Sequence, residues 1–139
     1  MQEIWKDIED YEGLYQVSNK GRVKSIERYS YKGNRSIQKL KERILKVGIR
    51  KDNYLTVVLR KNGKSTSYLV HRLVAQNFIP NPHGYNVVNH KDENKQNNDI
   101  RNLEWCSSLY NNTYNNIAIR RQVNKKKHWK FVNGKRFYY

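Results

Sequence analysis

Two β-prone runs face each other across Asn62-Gly63 in NYLTVVLRKNGKSTSYLV, and no other segment narrows the fold of this chain as far. Both residues tolerate the positive φ that the centre of a type I′ turn requires, so the run predicts strands near 54–60 and 65–70 closed into a hairpin. The period then changes. In HRLVAQNF, Leu73, Val74 and Phe78 recur at helical spacing and Pro80 and Pro82 stop the pattern, which predicts a short helix over 71–78. Strands running directly into a helix imply an α+β chain. At 139 residues and 37% apolar content it has too little apolar surface for one large core, so small, loop-rich modules are expected.

Upstream, GLYQVSNKGRVKSI places Leu14, Tyr15 and Val17, then Val23 and Ile26, around Asn19-Lys20-Gly21, a second hairpin signal. Trp5, Tyr11, Tyr15 and Val17 read as packing residues of this β-rich N-terminal module. Residues 29–43, YSYKGNRSIQKLKER, show no clean period and much positive charge, so they read as a mobile linker or arm. Downstream, YNVVNH reads as a strand, KDENKQNNDIR as a polar loop, NLEWC as a second strand, and a helix is expected from Ser107 to about residue 120, capped by Ser107 or Ser108. Leu103 and Trp105 read as core. The last stretch carries many Lys and Arg with no acidic residue after Glu104, and FVNGKRFYY looks like a hairpin around Asn133-Gly134. The expected organisation is 1–48, 49–120 and a basic tail, 121–139.

Charge selects the partner. The 28 Lys and Arg against 12 Asp and Glu leave +16, and 11 tyrosines interleaved with those cations suit nucleic acid better than a membrane surface. Cys106 is the only cysteine, which excludes an intramolecular disulfide and a cysteine-based zinc site. The opening MQEIWKDIED has no signal-peptide pattern and no long apolar run occurs anywhere, so a cytosolic protein without a membrane partner is expected.

The chemistry concentrates in VVNHKDENKQNNDIRNLEW and the following CSSLYNNTYNN, residues 87–116, which offer one histidine and many amide oxygens. Phosphodiester hydrolysis needs a hard cation on a phosphate oxygen and a base for water, and oxygen ligands with a near-neutral imidazole supply both. Residues 70–115, from VHRLVAQNFIPNP through VVNHKDENKQNN and NLEW to YNN, resemble the HNH nuclease domain of phage and intron-encoded homing endonucleases. Residues 3–28 are similar to the small module that often precedes it. Together the two stretches cover over half the chain. The resemblance implies a small N-terminal module followed by a ββα-metal nuclease domain that nicks or cleaves double-stranded DNA with one divalent ion, Mg²⁺ or Mn²⁺. A phage origin would place the protein in the bacterial host's cytoplasm. Nothing in the sequence reads as a strong dimer interface, so a monomer is expected.

By that resemblance His90 is the general base, whereas an isolated histidine beside a lysine would be an ordinary surface residue. Asn89 and Asn111 match the family's metal-ligand positions. As neutral amides they bind a cation less strongly than aspartate, so a DNA phosphate is expected to complete the site. Asn102 is the middle asparagine of the motif and is expected to fix the loop carrying His90. Asn115 stands where relatives often have histidine and is at most a secondary contact; His71 reads as structural. Adjacent residues of a strand point to opposite faces, so Asn89 and His90 share a site only where the strand ends or curls. Arg22, Lys24 and Arg28 beside the first hairpin, and Arg120, Arg121, Lys125, Lys126 and Lys127 in the tail, are the candidate phosphate contacts. The rival readings are a catalytically impaired DNA-binding protein on the same scaffold and, behind it, an RNA-directed module.

The tail's charge generates a test. Each neutralised phosphate steepens the fall of log K with log salt by about 0.9. Removing residues 120–139 is therefore expected to weaken DNA binding and flatten its salt dependence, while leaving metal-dependent nicking at low salt. Binding titrations at several salt concentrations measure the slope, and an unchanged slope in a truncated chain that circular dichroism shows to be folded would remove the tail from the interface.

Overall fold

A computed structural model describes residues 1–33 and 36–111. Its strands are short and antiparallel where their register is defined. In the N-terminal module, β1 (Trp5–Asp7), β2 (Tyr15–Ser18) and β3 (Val23–Ser25) form a meander, with Val17 opposite Val23 around the turn at Asn19-Lys20-Gly21. The next two strands, β4 (Arg28–Lys32) and β5 (Ser36–Leu40), pair with each other, and β6 (Arg43–Ile44) returns to the free edge of β3. Then β7 (Gly48–Ile49), β8 (Leu55–Lys61) and β9 (Lys64–Leu69) make a three-stranded sheet. Its tight turn is the expected one: Asn62 and Gly63 have φ of 53° and 76°. The helix α1 (Val70–Phe78) follows without a linker, and β10 (Val87–His90) pairs with β11 (Leu103–Cys106). Strands with few helices make this an α+β chain, as its patterning predicts.

One reading needs correction. Residues 29–43 were expected to be a mobile linker or arm, but Arg28–Lys32 and Ser36–Leu40 pair over five residues, from Arg28 opposite Leu40 to Lys32 opposite Ser36. Both strands are largely exposed on both faces, with Tyr29 71%, Tyr31 78% and Ile37 62% accessible. Because no face is buried, no hydrophobic alternation is written into the residues; cross-strand pairing, with the Ser36 hydroxyl donating to the Lys32 carbonyl, defines this ribbon.

Two units are formed, Met1–Gly84 with Val88–Trp105, and Tyr85–Val87 with the chain from Cys106. In the first, a single cluster joins Ile8, Tyr11, Tyr15, Val17 and Val23 of the N-terminal module to Val57 and Leu59 of β8, to Val70, Leu73, Val74 and Ala75 of α1, and to Val88 and Leu103. Polar ties run alongside: the Tyr11 and Tyr68 hydroxyls are 2.8 Å apart, the Arg60 amide donates to the Tyr15 hydroxyl, and the Lys6 ammonium donates to the Asn77 carbonyl of α1. In the second unit the Ser107 hydroxyl accepts from the Tyr110 amide and its carbonyl from the Asn111 amide, so Ser107 caps the helical turn at 108–111. The expected hairpin at Asn133-Gly134 and the helix beyond Asn111 lie outside the described residues. Among those described, no helix is long and apolar enough to cross a membrane.

Leu59 is fully buried where the N-terminal module, β8 and α1 meet. Leu59→Ala is expected to cost about 2–5 kcal/mol. Hydrogen exchange should lose protection in β2 and β10 together, and loss confined to β8 and β9 would show that the cluster does not act as one core.

Candidate functional site

The strand β10 delivers its last two residues, Asn89 and His90, into buried positions, each 5% exposed. They meet different neighbours, as alternation along a strand requires. The His90 imidazole packs toward α1, where the His71 ring lies 5.0 Å away, and His71 in turn stacks on Tyr54 at 5.0 Å and 24°. The Asn89 amide turns to β11 and donates from Nδ2 to Glu104 Oε1 at 3.3 Å.

His90 Nε2 lies 2.8 Å from Asn98 Oδ1. With the Asn98 amide oxygen facing it, Nε2 is the donor and the neutral ring leaves Nδ1 unprotonated; in this orientation Asn98 Nδ2 is buried without a partner among the described residues. Burial pushes the His90 pKa below the ordinary histidine range, against the opposing effect of the Asn98 bond, and favours that neutral form. His71 is pushed down to about 3, chiefly by burial and then by repulsion from His90. It forms an uncharged wall behind the base. Asn98 was not singled out by sequence because the three asparagines of the loop, Asn94, Asn97 and Asn98, look alike; its signal is spatial.

Between His90 and β11 the chain makes a clasped loop. The Asn102 carbonyl accepts from the Lys91 amide and its Oδ1 from the Asp92 amide, while its Nδ2 donates to Asp92 Oδ1 and to the Asn97 carbonyl, at 2.8–3.0 Å. The Asp92 carboxylate also accepts from the Asn97 side chain and the Asn94 amide, and those bonds hold its pKa below the usual carboxylate value. Outside the loop, Gly21 presses on Asn98. Its φ is +89°, and a Cβ there would stand 2.8 Å from Asn98 Cβ, so the turn of the N-terminal module must be glycine for backbone and space alike. The Ile100 amide donates to the Asn19 carbonyl of that same turn.

Among the described residues no three His, Cys, Asp or Glu side chains converge as a metal-binding group. What lies beside Asn89 is amide oxygen and one carboxylate, Glu104, oxygen donors of the kind that hard divalent cations accept. Asn111 belongs to the second unit, in the turn capped by Ser107. Asn115 and the cations Arg120, Arg121, Lys125, Lys126 and Lys127 lie outside the described residues.

The three cations of the N-terminal module differ in availability. Arg22 pairs with Glu3 and stays half exposed, and Lys24 lies 3.2 Å from Glu42 and 4.3 Å from the Trp5 ring centroid. Exposed pairs of this kind are weak, so the Arg22–Glu3 pair does not commit the Arg22 guanidinium. Arg28 braces the fold: Nη1 lies 2.9–3.0 Å from the Leu14 carbonyl, the Ser25 hydroxyl and the Ile26 carbonyl. The exposed ribbon of β4 and β5 carries Tyr29, Tyr31, Lys32 and Lys39, within the basic stretch whose charge, though not its strands, is evident in the sequence.

Comparison with known proteins places this geometry. Residues 3–60 match the NUMOD4 motif, and residues 68–113 match the HNH endonuclease family. The DNA endonuclease I-HmuI of Bacillus phage SP01 is 44% identical over 107 residues, which cover 77% of this chain and 54% of that protein. An uncharacterized HNH endonuclease, L245, of Acanthamoeba polyphaga mimivirus is 45% identical over 80 residues, 58% of this chain and 24% of that protein. The solved structure of I-HmuI, a study of DNA binding and cleavage by that HNH homing endonuclease, aligns with a TM-score of 0.63 at 39% identity and covers 88% of this chain and 66% of that one. This chain thus spans about half of I-HmuI and a quarter of L245.

The His90 tautomer is directly measurable. Ring ¹⁵N shifts should show a protonated Nε2 and an unprotonated Nδ1 in the native chain. Asn98→Ala should give a mixture of the two forms, and an unchanged spectrum would mean that Asn98 does not select the tautomer.

Proposed function

The chain belongs to the HNH homing endonuclease family, and from that premise we propose that it hydrolyses phosphodiester bonds of double-stranded DNA with one divalent ion, Mg²⁺ or Mn²⁺, acting as a monomer. The observation that carries this reading is the bond from His90 to Asn98: a buried, neutral imidazole with one nitrogen engaged is poised as a base. Through Nδ1, His90 removes a proton from the water that attacks phosphorus in line. A divalent ion, when bound, neutralises the phosphate and stabilises the departing 3′ oxygen. Asn89 and Asn111 are its proposed protein ligands, by their positions in the family motif. Asn102 acts on the reaction indirectly, holding the loop closed so that His90 keeps its direction. The products carry 5′-phosphate and 3′-hydroxyl ends.

DNA affinity is assigned to the cations of the N-terminal module, chiefly Arg22 and Lys24, and to the basic stretch from Arg120 to Lys127. Arg28 supports them by bracing the start of the β4–β5 ribbon. The resulting division is a DNA-contacting module at 1–48, a nuclease region at 49–120 and a basic tail. The alternative of an impaired DNA-binding protein finds support in the neutral amides at the ligand positions, but a base held in the correct tautomer has no use in a protein that only binds.

A nicking assay tests the proposal. His90→Ala is expected to lower the cleavage rate by about a hundredfold or more with DNA affinity little changed, since general-base catalysis contributes on the order of 10²–10⁴. Chelation of divalent ions should abolish cleavage by the native chain. Undiminished cleavage by His90→Ala would sink the mechanism, and no cleavage of any DNA by the native chain would favour the binding-only reading.

A further inference from the structure

We propose that Glu104 is a positioning residue that charges the metal site, holding the Asn89 amide with its oxygen turned outward and supplying the negative charge that two amide ligands lack. The inference rests on the reading of Asn89 as a ligand.

Orientation is the first argument. A carboxylate only accepts hydrogen bonds, so the Asn89 group within 3.3 Å of Glu104 Oε1 must be the NH₂. The opposite amide orientation would set two oxygens against each other. Glu104 therefore commits Oδ1, the one acceptor of the side chain, to the direction away from itself, where a hard cation would be met. The bond also crosses directly between β10 and β11, so it needs no loop to keep it.

Charge is the second. The side chains packed on the proposed base are uncharged, Asn98 and the His71 and Tyr54 rings, and the charged groups that act on it from further off, Asp92 and Lys95, are of opposite sign. The two loop carboxylates are already engaged, Asp92 by the Asn94, Asn97 and Asn102 donors and Asp99 by Arg101. Glu104 has no cationic partner among the described residues and bonds directly to a proposed ligand. An outer carboxylate that accepts a ligand's N–H increases the electron density on the ligand's donor atom and adds long-range attraction for a cation. The charge that an aspartate at position 89 would place on the ion is thus moved one residue outward, across the strand pair.

The test uses the full chain titrated with Mn²⁺ alone, read as paramagnetic broadening of the His90 ring-proton resonances, which reports on ions held at this site. Glu104→Gln is nearly isosteric and is expected to raise the half-saturating Mn²⁺ concentration on the order of tenfold, the usual effect of losing an outer-sphere partner. Asn89→Asp combined with Glu104→Gln returns a carboxylate to the site and should recover the lost affinity. Unaltered broadening in Glu104→Gln alongside a loss in Asn89→Ala would overturn the role of Glu104 and leave the ligand reading standing. Unaltered broadening in Asn89→Ala would remove both. A loss in Glu104→Gln that the double substitution fails to recover would mark Glu104 as a packing residue and overturn the proposal.

Discussion

Four hydrogen bonds made by the side chain and carbonyl of Asn102 clasp the loop that brings Asn98 to His90. One side chain and its own carbonyl close a loop of ten residues at both ends and at Asn97 in the middle. Apart from Ile100, which packs on the core, the loop is polar, so most of its conformation comes from hydrogen bonds to its own backbone. With the ends clasped, Asn98 is carried over the His90 ring, and an accepting oxygen there sets which imidazole nitrogen is protonated. The clasped loop thus places the Asn98 oxygen against His90, while burial of the ring favours its neutral form.

The N-terminal module completes that arrangement from outside. Its turn meets the loop at two points, the Asn19 carbonyl on the Ile100 amide and Gly21 against Asn98, and its apolar residues share one cluster with β8, α1, Val88 and Leu103. The module that carries Arg22 and Lys24 is thus built into the same packed unit as His90. Rigid packing of this kind transmits position over short distances because interiors are close-packed.

Much of this was legible in the residues. Asn62-Gly63 required a hairpin because few dipeptides accept two positive φ angles, Pro80 ended the helix because it cannot donate, and the order of Asn89, His90, Asn102 and Asn111 carried the family likeness. The ribbon at 28–40 was not legible. Its strands bury neither face, so the alternation that normally reveals a strand is absent, and charge alone resembled a linker. Asn98 and Glu104 were missed for a related reason: one sits among identical amides and the other in an apolar-looking strand, and only their partners distinguish them.

The sequence by itself determined local geometry and chemical supply, since turn dihedrals, helix stops, net charge and the set of available donors depend on residue type and near neighbours. It also determined which histidine stands in the motif. Tertiary structure decided which of two nitrogens faces an accepting oxygen, which asparagine supplies it, and which carboxylate meets Asn89. Those depend on contacts between residues eight to fifteen positions apart, Asn98 to His90 and Glu104 to Asn89, and across the module boundary at Gly21. No local preference encodes them, because each arises only when separate strands and turns are packed into one core.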